Sequence, residues 1–187
     1  VMSQLLNAYF AYMESPREGL EKLFRRRAYG VGFSGYLMAA VAAVCVFNMG
    51  EGLGIFSFLC KTMVLFAAEV LAGALMAACA ALFLDWSGRA ASPAQLFILI
   101  GTAGFIKGLL IAAAVVFLAV PVLHYLMPLL VLLVLALQLG YLTRNVARLY
   151  RVSGPRACVA VLFCAAPALA AAALAGMFLV WGIILLF

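Results

Sequence analysis

Three ionisable residues stand inside long apolar runs: Lys61, Glu69 and Lys107. A charge at the centre of a membrane span costs roughly 2.5–3.5 kcal/mol on insertion scales, so each needs a partner, a wet path or an escape to the interface. Lys61 lies near the end of its run and can snorkel outward. Glu69 and Lys107 fall near mid-depth of consecutive runs, joined only by the short segment Asp85–Ala94. Helices joined so closely are antiparallel neighbours, and an ion pair between Glu69 and Lys107 would account for both charges. Two uses fit such a pair. It could be structural, fixing the register of two helices, or it could serve transport as a proton or ion relay or a polar headgroup site. A pair that neutralises itself is a poor ion site unless one partner releases, which favours the structural use.

The residue types for hydrolysis or phosphoryl transfer are not assembled. The chain has one histidine, His124, in an expected outer turn, and no Ser/His/Asp set, paired catalytic carboxylates, HExxH or P-loop. Cys45, Cys60, Cys79, Cys158 and Cys164 lie within or at the ends of apolar runs, without CxxC spacing. They read as small hydrophobes rather than as a metal or redox site. The expectation is a non-enzymatic protein with no catalytic residue, no cofactor and no metal.

The elements that must position Glu69 and Lys107 follow from composition. Of 187 residues, 70% are hydrophobic and 10% charged, whereas a soluble domain is about half apolar. The surplus must face lipid. The sequence predicts an all-α, polytopic helical membrane protein with five transmembrane helices, near 28–47, 55–84, 95–120, 122–142 and 155–187. Residues 1–27 form a preceding amphipathic helical segment. In it Met2, Leu5, Leu6, Tyr9 and Met13 share one face, and Ser15-Pro16-Arg17-Glu18 restarts a helix with a cap, a proline and a capping-box acid.

The segment Tyr141–Ala157 is the longest polar interruption, carrying Arg144, Arg148, Arg151 and Arg156 and no acid. Of the 12 Lys and Arg, all but Lys61 and Lys107 fall on the side that holds the N-terminus when five spans are threaded. By the positive-inside rule that side is cytoplasmic and the C-terminus is outside. The net charge of +6 therefore points to anionic lipid headgroups and not to nucleic acid. Arg25, Arg26 and Arg27, with Arg144, Arg148, Arg151 and Arg156, are the expected contacts to lipid or to a protein partner of unknown identity.

Helices in lipid associate through small residues, because no hydrophobic force drives them together. Gly101, Gly104 and Gly108 share a face of the third span, and Glu69, Gly73, Ala77 and Ala80 a face of the second. These faces suit core packing, or a homo-oligomer.

The order of these features resembles the bacterial branch of the Yip1 domain family. The resemblance is carried by SPREGLEKLF, five closely spaced spans, the turn DWSGRAASPAQL before the third and LYRVSGPRA before the fifth. It implies a five-span helical protein with a cytoplasmic N-terminus, in a bacterial cytoplasmic (inner) membrane. Eukaryotic members of that family act as binding partners in vesicle traffic, associated with small GTPases. The aromatic-Gly-Pro motif of their first span is absent, and the third span reads GFIKGLL where a proline is common. The combined expectation is a scaffold or adaptor, with a small oligomeric transporter or channel built on Glu69 and Lys107 as the alternative.

Overall fold

A computed structural model describes residues 29–49, 52, 54–167 and 170. The amphipathic segment 1–27 with Arg25–Arg27 lies outside these, as does most of the expected fifth span beyond Pro167. The described residues form helices and turns, with no strand among them. The helices are α1 (Tyr29–Phe47), α2 (Ile55–Trp86), α3 (Pro93–Ala103), α4 (Gly108–Ala119), α5 (Met127–Leu149) and α6 (Gly154–Pro167). A single 3-10 turn, Gly104–Lys107, joins α3 to α4, and a second, Pro121–Leu126, makes the reversal before α5.

Four stretches are long and apolar enough to cross a membrane: Tyr29–Phe47, Ile55–Trp86, Pro93–Ala119 and His124–Leu149. Their outward faces carry bare Leu71, Leu82, Val115, Leu132 and Leu133. A soluble monomer does not expose apolar surface on this scale. The protein is a membrane-embedded helical bundle. At 1.5 Å per residue the 32-residue α2 is about 48 Å long, so it tilts across or projects beyond a ~30 Å core.

The helix α1 and the α3–α4 pair form the centre. The former packs on α2, α3 and α4, and α5 packs on the other side of α3 and α4. Two clusters make the core. The larger joins Ala77, Ala80 and Leu84 of α2, Leu96 and Leu99 of α3, Leu142 and Val146 of α5, and Ala157, Val161 and Cys164 of α6. The smaller joins Ala42, Leu110 and Val134.

Helix α5 corrects the picture of a basic loop running from Tyr141. The helix continues to Leu149, past the expected end of the span at Leu142. Its last turns are amphipathic: Leu142 and Val146 are buried against the bundle while Arg144 and Arg148 point to solvent. Buried apolar contacts thus carry the helix on through its arginine-bearing turns. The connection that remains is a tight turn around Tyr150–Ser153.

Candidate functional site

The two mid-membrane charges meet. Lys107 Nζ lies 2.6 Å from Glu69 Oε1, with the side chains 19% and 29% exposed respectively. Close helix packing on both sides of the pair sets this geometry. One helical turn beyond Glu69, Gly73 leaves the space that the Tyr36 ring of α1 fills; a Cβ there would fall on the Tyr36 hydroxyl. That hydroxyl donates to the Phe97 carbonyl of α3 at 2.9 Å, tying α1 to α3 beside the seat on α2. One turn before Lys107, Gly104 abuts the Gly35 carbonyl.

The contact between α1 and α3 is backbone on backbone. A Cβ on Gly35 would fall on the Gly101 carbonyl, and one on Gly101 would fall on the Gly32 carbonyl. Such close approach is how helices gain dispersion contact in lipid. Gly32, Gly35 and Tyr36 escaped the sequence reading. The signal was present: Gly30, Gly32 and Gly35 crowd one apolar helix, where each glycine costs about 1 kcal/mol relative to alanine. Only close packing offsets such a cost. Gly101 and Gly104 are covered by α1. Gly108 is looser, with only the Met38 side chain near, at 3.4 Å. Ala77 is buried in the larger core.

Lys61 does not join Glu69. Its ammonium donates to the Asn48 side-chain carbonyl in the turn between α1 and α2, and Asn48 in turn donates to the Val44 carbonyl at 2.8 Å. It therefore reaches toward the end of the bundle opposite the arginines.

The arginine-bearing end is built by two helix termini of one design. Helix α2 ends with Arg89 N–H donating to Leu84 O and Gly88 N–H to Asp85 O, and Gly88 takes a left-handed φ of 77°. Helix α5 ends with Val152 N–H donating to Ala147 O, and here Arg151 takes the left-handed position, at φ 51°. Glycine is the usual residue there. Arg89, Arg144, Arg148, Arg151 and Arg156 are all exposed at this end. Beneath them Tyr150 is buried and its hydroxyl finds no hydrogen-bond partner among the described residues. Burial pushes its phenol up to about 12; the Ser92 backbone tempers the rise, without hydrogen-bonding geometry, and Asp85 adds to it.

Among the described residues no three His, Cys, Asp or Glu side chains come together as metal ligands. A small void of about 20 Å³ in the larger core is walled by Met76, Ala80, Leu96, Leu99, Val161 and Cys164, among other apolar groups. Compared with known proteins, the chain matches no family model, no curated protein and no solved structure.

Proposed function

We propose that this chain is a membrane scaffold or adaptor of the Yip1 domain type, without enzymatic activity. In this reading it has five spans, sits in a bacterial inner membrane with the N-terminus cytoplasmic, and engages a protein partner and anionic headgroups at its arginine-bearing end. One observation carries the reading: charge is divided between two jobs. Glu69 and Lys107 neutralise each other inside the bundle, whereas Arg89, Arg144, Arg148, Arg151 and Arg156 stand exposed at one end with no carboxylate paired to them among the described residues. Exposed arginines beside lipid attract anionic headgroups by about 1 kcal/mol each. Orientation is tested by an impermeant thiol reagent applied to intact cells, with a cysteine placed at Arg148. No labelling is expected until the membrane is opened; ready labelling of intact cells contradicts the assignment.

A second reading, a small oligomeric transporter or channel, draws on the partial exposure of Glu69 and Lys107 at mid-span. Its test is proton or cation flux in proteoliposomes. Flux that vanishes in Glu69→Gln supports it; background flux in wild type removes it.

A further inference from the structure

Between the α2–α3 turn and the α5–α6 turn lies a concavity of about 70 Å³. Leu84 and Val152 contribute to its lining, together with Arg89, Arg151, Arg156 and Ser153. One water occupies about 10–15 Å³ of such space, so a phosphate group fits and a whole lipid does not. Three arginines line this space, Arg89 from the α2–α3 turn, Arg151 from the α5–α6 turn and Arg156 from the first turn of α6, and no carboxylate lines it. The nearby Asp85 is engaged otherwise, its Oδ1 accepting the Ala91 N–H at 2.8 Å. Ser87, also in the lining, donates its hydroxyl to Phe83 O at 2.9 Å. The Ser153 hydroxyl has no partner among the described residues.

Like charges brought together repel, and an anion between them removes the repulsion. Guanidinium forks match phosphate oxygens in pairs. Helix α6 opens at the same place, with Ser153 accepting its first N–H, from Ala157, at 3.0 Å. Its remaining free amides and positive dipole end favour the same ligand. The backbone adds a separate observation. Gly88 ends α2 without strain, but the equivalent place after α5 holds an arginine at φ 51°. A left-handed non-glycine residue costs about 1–3 kcal/mol. Fold stability alone would favour glycine at that position.

We propose that this concavity is a phosphate-binding site formed by Arg89, Arg151 and Arg156. The ligand is a phosphate-bearing anion at the membrane surface, either a lipid headgroup or a soluble phosphate compound. The site rests on the anionic-lipid half of the reading above and makes it stoichiometric and local.

The experiment is native mass spectrometry of the full chain in neutral detergent, titrated with phosphatidic acid, with phosphatidylcholine, or with inorganic phosphate. Wild type is expected to retain one phosphatidic acid in preference to phosphatidylcholine. Arg151→Gly is expected to bind it about tenfold or more weakly, the scale of one charge-assisted hydrogen bond, while its melting temperature is unchanged or raised. Arg89→Gln with Arg156→Gln should weaken binding similarly and guards against misfolding of either variant. Arg144→Gln with Arg148→Gln removes equal charge outside the concavity, so it should lose only general attraction to the anion and weaken binding less than the Arg89/Arg156 variant. Saturable inorganic phosphate binding, lost in the same variants, identifies a soluble ligand; lipid binding without it identifies a headgroup; either supports the site. Equal weakening in the Arg144/Arg148 variant, or unchanged binding in Arg151→Gly, overturns the site but leaves general attraction to anionic lipid. Equal retention of phosphatidic acid and phosphatidylcholine, with no phosphate binding, overturns both the site and the lipid-contact reading.

Discussion

Removing one member of the Glu69–Lys107 pair should cost far more than removing both. At 2.6 Å two unit charges attract by about 6 kcal/mol at an effective dielectric of ~20. Desolvation takes back several kcal/mol per ion, so the intact pair is near neutral relative to a well-packed apolar pair. Either single change strands the other charge at mid-membrane. For fully buried pairs that loss is about 3–5 kcal/mol. The residual exposure of 19% and 29% places both Glu69→Leu and Lys107→Met at the lower end, about 3 kcal/mol each. The double variant should be well above either single in stability, a coupling of more than about 3 kcal/mol. Unfolding in mixed anionic and neutral micelles, followed by tryptophan fluorescence, measures all four proteins. Losses that add to within ~0.5 kcal/mol would show that the two groups act independently and refute the clamp.

Two further predictions concern packing and pH. Gly35→Leu should abolish or severely reduce the folded monomer in size-exclusion melting curves, because even its Cβ meets the Gly101 carbonyl and overpacking costs about 1–3 kcal/mol or more. Gly108→Ala should be tolerated or slightly stabilising, since only the Met38 side chain is near; equal effects at both sites would show the α1–α3 contact to be wrongly placed. The Tyr150 phenol is raised from 10.0 to about 12 by burial. The unfolded chain thus releases this proton first, so its contribution to stability is full below pH 10 and is lost between pH 10 and about 12. Tyr150→Phe should flatten that descent and be neutral or stabilising at pH 7, because the hydroxyl lacks a partner among the described residues; an unchanged descent would assign it elsewhere.

Much of the bundle was legible because lipid permits few alternatives. Apolar runs of span length must be helices, and Pro93, Pro121 and Pro128 mark where the described helices start or reverse. Glu69 and Lys107 could be placed at similar depth by counting, since the turn between their helices is short. The central helix was harder to read. Helix α1 carries no mid-span charge, and its Gly32 and Gly35 look like propensity defects until the backbone of Ile98 and Gly101 on α3 is known to lie against them. The end of α5 was misread for a related reason. Arg144 and Arg148 look like loop residues in a list of charges, yet Leu142, Val146 and Tyr150 at helical spacing bury the other face. The concavity at Arg89, Arg151 and Arg156 brings together turns some sixty residues apart, and no local pattern announces that meeting.

The most direct test of the division of labour is quantitative co-purification from native membranes in mild detergent, comparing two variants with wild type. Arg144→Glu with Arg148→Glu reverses charge on the exposed face of α5 and leaves the core intact. Glu69→Leu with Lys107→Met removes the half-buried pair and leaves that face intact. The account predicts that the first loses the specific protein partners of wild type and the second retains them. Retention in the first with loss in the second, at equal folded protein, would contradict it and place function at the mid-membrane pair.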